Sequence, residues 1–523
     1  MKRFHLYTVS AAMLFLSACS SDNDDMPGGD VPSATLRIEV SAGDFTNVGG
    51  TATRATDSGN TTTFENNDRI GIIALDKNGN VLSDNIPYKY NISDGTWSFD
   101  GSSEEKTSLS YNNRAVTYLA YFPYSPAVDG VNSIAALKAE FPPQLDQRTI
   151  AAYRASDLLV WSNTTTGSPL KKLEIGFKHA YASLLLSPTI KCTINGTEET
   201  YATSVSDVSF SINGEPCLPY KVEDGNYRII TATASANVNV RWHCTYRAVT
   251  YGGTMSEENA LAENYRYTLA PVVKDFGNYT FDKAQMGDFY CKTTDGKSGY
   301  LIPGKIVPFP AVHKDNCIGI VYWVGDITGE DPLLQAEHPQ CTHGLVVALQ
   351  NASDGTPWSN NYEDITNEWL SKQTNTTYKI ITLKETEKMQ GYANTKALEG
   401  YNKSDRATGV NSGKKVLPIE SISTYASKHS APASSSGWYW PSVRELKYMC
   451  WGQNNSSGTA GKDALNDQLS KIPDATSLPR GYCWSSTEYS DNAAWFVNFV
   501  YGRTEGSGSK DAGSFRVRAV LAF

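Results

Sequence analysis

Cysteine, histidine and tryptophan are the side chains best placed to do chemistry in this sequence, and their spacing is the first thing to test. Nine cysteines occur without a Cys-x-x-Cys pair. The nearest approach to a metal-binding cluster is His338, Cys341 and His343, which lacks a fourth ligand and the usual spacing of a zinc centre. No Ser/His/Asp arrangement and no His-Glu-x-x-His phrase is present. The expectation is therefore no catalytic residue, no metal and no cofactor, and a protein that binds rather than turns over a substrate. Trp451, beside Gly452-Gln453-Asn454-Asn455, is the aromatic most suited to stacking on a sugar ring, while Trp440, Trp484 and Trp495 read as core. Arg503 and Lys510, in a Gly/Ser-rich stretch read as a loop, are placed to meet an anionic glycan; a solvated loop is the plainer reading.

The amino-terminal residues carry a different chemistry. Lys2 and Arg3 precede a mostly apolar run from Leu6 to Leu16, and small residues stand directly before Cys19. That pattern is a secretory signal peptide, residues 1–18. Leu16-Ser17-Ala18-Cys19 resembles a lipobox, which implies that the Cys19 thiol is acylated and becomes the first residue; an incidental cysteine is the alternative. The acidic, Gly/Pro-containing run after it reads as a flexible tether and resembles the tag that sends lipoproteins to the outer face of the outer membrane. No later segment offers about 18 consecutive apolar residues, so acyl chains would be the only anchor.

Length and composition narrow the class. With 523 residues the chain is long enough for about three or four domains. Its net charge of −9, without a basic run, argues against a nucleic-acid partner. Thirty tyrosines and eleven tryptophans among abundant Thr, Ser, Asn and Gly favour sheets joined by turns. The eight cysteines beyond Cys19 permit disulfides in an exported protein, and buried thiols are equally open.

Strand patterning follows. Residues 35–41 alternate, with Leu36, Ile38 and Val40 on one face and Arg37 and Glu39 on the other. A Gly/Thr-rich stretch then reaches Arg54, a lone basic residue open to a trypsin-like protease; a simple loop is the bland reading. From about 64 to 270 short strands alternate with turns, with almost no helical period. Examples are Arg69–Leu75 closed by Asn78-Gly79, Val116–Phe122 and Tyr265–Leu269. This spacing predicts two successive β-sandwiches.

Asp68-Arg69-Ile70-Gly71-Ile72, Ala120-Tyr121-Phe122-Pro123-Tyr124 and Phe177-Lys178-His179-Ala180-Tyr181-Ala182-Ser183-Leu184 occur in that order. Over residues 30–275 they resemble the fimbrillin-like (Mfa-like) subunits of type V pili. The resemblance implies two transthyretin-like Greek-key β-sandwiches, lipoprotein export and cleavage by a surface protease, with Arg54 and Ala55 at the matching position. Loss of the strand bearing Leu36, Ile38 and Val40 would leave unpaired backbone and an apolar groove for a strand of another subunit.

After residue 274 helical signals appear. Ser442-Val443-Arg444-Glu445 is a capping box before Val443, Leu446 and Met449, and Leu465, Leu469 and Ile472 mark a second helix. Trp438–Leu446, Tyr482-Cys483-Trp484-Ser485-Ser486-Thr487-Glu488 and Phe515–Val520 resemble the C-terminal domain of the Lcl-type collagen-like adhesins, with Trp440 where leucine is usual. The resemblance implies an α+β, C-type-lectin-like fold. Phe515, Val517, Ala519, Leu521 and Phe523 alternate against Arg516 and Arg518, a strand expected to complete that domain's sheet and leave no free tail.

The organisation expected is thus mainly β: signal peptide 1–18, tether and propeptide strand 19–54, sandwiches 55–175 and 176–273, and a lectin-like domain 274–523. The expected function is a fimbrial tip or accessory adhesin joined to other subunits by donor-strand exchange. It would bind a host or bacterial glycan or protein and be held by lipid at the outer membrane until cleaved. The alternatives are an unpolymerised surface lipoprotein capturing glycans or matrix proteins, and an enzyme or glycan-capture module serving a polysaccharide system.

Overall fold

The computed structural model describes residues 36–48, 62–101, 106–110, 114–165, 172–222, 225–255, 260–374, 378, 380–512 and 515–523. They fall into two units. The first takes in 36–44, 62–142 and 158–180 as described, and the second takes in 45–48, 143–157 and the residues from 181 onward.

The first unit is one seven-stranded sheet. Its order is β1 (Arg37–Ala42), β8 (Lys172–His179), β7 (Leu159–Thr164), β6 (Thr117–Phe122), β3 (Arg69–Leu75), β4 (Val81–Asn91) and β5 (Thr96–Phe99). β1 runs parallel to β8; the other pairings are antiparallel. β3 lies near the centre because its side chains are almost all apolar, and Ile70, Ile72 and Ile73 are fully buried. The turn after it is fixed by Asp76, whose Oδ1 accepts from the backbone N–H of Asn78 and of Asn80. β8 alternates cleanly, with Leu173, Ile175 and Phe177 inward. The sheet folds over on itself, so that β1 and β5, its two ends, line one groove of about 750 Å3. Phe64 is half-buried against the core, edge-on to Trp97 at 5.0 Å and Phe122 at 5.4 Å between centroids.

In the second unit three smaller sheets come first. One is β14 (Tyr220–Lys221), β15 (Tyr227–Thr231), β9 (Ala182–Leu186), β18 (Tyr265–Leu269) and β2 (Thr46–Val48). Another is β11 (Thr197–Ala202), β10 (Thr189–Ile194) and β19 (Val272–Asn278). The third is β13 (Glu215–Cys217), β12 (Ser206–Ile212), β16 (Val240–Tyr246) and β17 (Val249–Thr254). An eight-stranded sheet follows in the order β21 (Gly299–Ile302), β20 (Phe289–Lys292), β22 (Cys317–Val324), β23 (Gly344–Thr356), β27 (Phe515–Ala522), β24 (Tyr482–Glu488), β25 (Ala493–Asn498) and β26 (Arg503–Ser509). Helices Gly391–Lys403, Leu417–Lys428, Val443–Trp451 and Ala460–Leu469 accompany it. A single apolar core passes from β9 and β10 into this sheet without interruption.

Several expectations change. Helices Ile134–Glu140 and Ile150–Ser156 stand where strands and turns alone were expected. Each is only two turns long, too short to show a period, and is started by a hydroxyl: Ser133 accepts from Ala136 N–H and Thr149 from Ala152 N–H. The lines drawn at 175/176 and 273/274 fall inside β8 and β19. Of the two states left open for the cysteines, the eight among the described residues take the second: all are buried thiols. Arg518, expected on a polar face, is fully buried. Its guanidinium donates to the carbonyls of Ala348 and Thr476 and to the Asn351 and Thr476 side chains, and burial pushes its pKa down to about 10.

Candidate functional site

Leu36 and Ile38 are buried in the core of the first unit and Val40 is half-buried beside them, whereas Arg37 is exposed. β1 is an edge strand, hydrogen-bonded only to β8, with the groove shared with β5 along its other flank. Exposed ion pairs trim its outer face, Lys172 Nζ lying 2.6 Å from Glu39 Oε2; such pairs contribute little. The stretch read as a loop beyond it contains β2, which pairs in parallel with β18 at the edge of its own sheet. Phe45 anchors that entry, buried under the Arg266 guanidinium at 5.0 Å. The segment 36–48 therefore supplies an edge strand to each unit. A lone Phe45 among Gly, Thr and Asn was the only mark of the second one. Cys19, Arg54 and Ala55 lie outside the described residues.

Of the ligand candidates, Trp451 and Arg503 come together and Lys510 does not. Trp451 is half-buried, and its indole Nε1 donates to the Gly502 carbonyl at 2.6 Å, holding the turn between β25 and β26. That turn presents Tyr501, 69% exposed, with the Arg503 guanidinium 6.0 Å from its ring centroid. Lys510, by contrast, is fully buried. Its Nζ donates to Glu488 Oε1 at 2.7 Å and to the Glu363 carbonyl at 2.6 Å, 4.6 Å from the centroid of Trp358. Desolvation lowers its pKa and the Glu488 carboxylate opposes that shift. The Gly/Ser-rich stretch is strand β26, not a loop. A Cβ on Gly508 would come within 2.7 Å of the Trp484 and Phe496 rings, so glycine here makes room for aromatic packing.

The expected core tryptophans sit where core residues belong: Trp440 and Trp484 are fully buried and Trp495 is half-buried. Ser442 and Glu445 form the reciprocal capping box. Glu445 is itself fully buried; its carboxylate accepts from Ser442 N–H at 2.6 Å and Tyr439 O–H at 2.8 Å, and burial pushes its pKa up to about 7. Asp331 and Asp288 are pushed up to about 6 by the same cause. The histidines of the loose cluster diverge: His338 Nε2 meets Tyr392 Oη at 3.0 Å and His343 Nε2 lies 3.4 Å from Asp282, while Cys341 contacts the Ser434 carbonyl. Among the described residues no group of three His, Cys, Asp or Glu is placed to hold a metal.

β27 is built into the middle of its sheet, between β23 and β24, with Val517, Ala519, Val520 and Leu521 fully buried. The segment 36–48, by contrast, places β1 and β2 each at a sheet edge. Residues 53–310 match the model of the family described as Fimbrillin-like. That stretch of the chain is fimbrillin-like. Along its full length it is 25% identical to Fim1C of Bacteroides ovatus, a proposed fimbrium tip subunit, covering 100% of both proteins. A crystal structure of a fimbrial protein from Bacteroides ovatus is 22% identical, covers 94% of this chain and 100% of its own, and has a TM-score of 0.38. A proposed cell adhesion protein from Bacteroides uniformis is 15% identical over 40% of this chain and 89% of its own, with a TM-score of 0.28. The fimbrillin-like match begins at residue 53, after β1 and β2, and runs through β21.

Proposed function

We propose that this chain is a tip or accessory adhesin of a type V fimbrium. It is exported as a lipoprotein acylated on Cys19, held at the outer membrane, and cleaved after Arg54 so that Ala55 becomes its first residue. Other fimbrial subunits then join it by strand exchange. The observation that carries the reading is that the described residues upstream of the cut, 36–48, contribute edge strands. β1 and β2 each pair on one side only, and removing them leaves unpaired backbone on β8 and on β18 together with the places vacated by Leu36, Ile38 and Phe45. The family match beginning just before Arg54 supports a mature subunit starting there. The tip assignment rests on the full-length likeness to Fim1C and on β27, which is locked inside its sheet and is not available to a neighbour. The lectin-like segment after residue 274, with Trp451, Tyr501 and Arg503 at one corner, then faces outward toward a glycan or protein.

Amino-terminal sequencing of the protein recovered from sheared surface filaments tests this. Ala55 is the terminus expected. An acylated Cys19 on filament-borne protein would overturn cleavage-driven assembly and leave an uncut surface lipoprotein.

A further inference from the structure

The second unit carries an open pocket of about 660 Å3 that none of the foregoing residues explains. Tyr246 and Arg247 at the end of β16, Tyr251 on β17, Lys274 and Phe276 on β19, and Lys283 and Lys305 line it. A smaller pocket of about 280 Å3 shares Tyr246, Arg247 and Lys305, so the two form one groove.

Its charge is lopsided. Two acids share its wall: Asp275, whose Oδ1 accepts from Gly277 N–H at 2.7 Å, and the exposed Asp282, 3.4 Å from His343. Arg247, Lys274, Lys283 and Lys305 are exposed, and none is in an ion pair among the described residues. Four cations against two carboxylates leave the groove net positive in a chain whose net charge is −9. Two of them are held in place. Lys283 Nζ donates to the carbonyls of Asn278 at 2.6 Å and Phe276 at 3.4 Å, keeping a third proton for a ligand. Arg247, in the left-handed region at φ 48°, donates to the Lys305 carbonyl at 3.2 Å. Tyr246 is only 8% exposed, and its buried hydroxyl has no hydrogen-bond partner among the described residues; such groups are uncommon.

We propose that this groove binds a carboxylate-bearing saccharide, an oligomer of uronic acid. The cations take the carboxylates, and the half-buried Tyr251 and Phe276 rings offer apolar faces to the pyranoses. The proposal rests on the adhesin reading and adds to it a ligand class and a second ligand surface, lined by residues other than Trp451, Tyr501 and Arg503.

Calorimetric titration of the full chain with tri-galacturonate tests it, using maltotriose as the neutral control and a tri-glutamate peptide as the acidic one. The wild type should bind tri-galacturonate and ignore maltotriose. The double variant Lys274→Gln/Lys305→Gln should lose about tenfold or more in affinity, the scale of removing charge-assisted hydrogen bonds. Its melting temperature should hold, since both side chains are exposed. Equal binding by the variant, equal binding of maltotriose, or tighter binding of the peptide would each overturn the site. Incorporation into filaments is read separately. Protein that enters filaments without binding sinks the groove alone, whereas protein that binds but never enters filaments sinks the fimbrial reading and leaves the groove standing.

Discussion

Glu445, Asp331 and Asp288 are carboxylic acids that folding has taken out of water, with pKa values raised to about 7, 6 and 6. A raised pKa means that the folded state holds its proton more tightly than the unfolded chain. The stability this contributes is complete below about pH 4 and is lost as pH climbs toward about 7. For Glu445 the loss is about 3 kcal/mol. Glu363, Asp364 and Glu387 have lowered values, through salt-bridged lysines and Arg406 that outweigh their burial, so their contribution fades at the acid end instead. Thermal melts across pH should show a maximum near pH 5 and a decline toward pH 8, and Glu445→Gln should flatten that decline. An unchanged slope in the variant would show that another group sets it. Lys510, like Arg518, is a buried charge that eluded sequence reasoning. Nothing local distinguishes a lysine flanked by Ser509 and Asp511 from a solvated one, because its partner Glu488 lies on another strand.

At the scale of elements, legibility followed length and pattern. β3, β6 and the capped helix Val443–Trp451 were readable because each has a strong local signal: an apolar run, a run ending at Pro123, and a capping box. β26 was not, since its glycines serve the rings above it, and the helix Gly391–Lys403 was not, since small and polar residues lie among its buried ones. β1 was readable by alternation, but its companion β2 has three residues and no period. The edge role of β1 leads to a test. After proteolysis at Arg54 the freed segment should stay bound to the remainder, co-eluting in size exclusion. Ile38→Asp should release it, because a charge placed in the apolar core costs about 3 kcal/mol or more, roughly a hundredfold in retention. Equal retention of both segments would mean that Ile38 does not hold β1 in place.

Across the molecule the eight described cysteines are spread from Cys192 to Cys483, all buried, and burial raises the thiols of Cys192, Cys341, Cys450 and Cys483 to about 12. The folded protein should resist iodoacetamide at pH 8 and take up label at these positions only in denaturant; rapid native labelling would show that the second unit opens. The unbroken core of that unit also governs how the protein can be dissected. A fragment beginning at residue 274 would tear β19 from β10 and separate Glu199 from His313, which meet at 2.8 Å. It would lose Val273 and lay bare the apolar surface around Tyr279 that β10 now helps to close. Such a piece would clump in solution, so glycan arrays meant to isolate the outward half should be probed with the second unit whole.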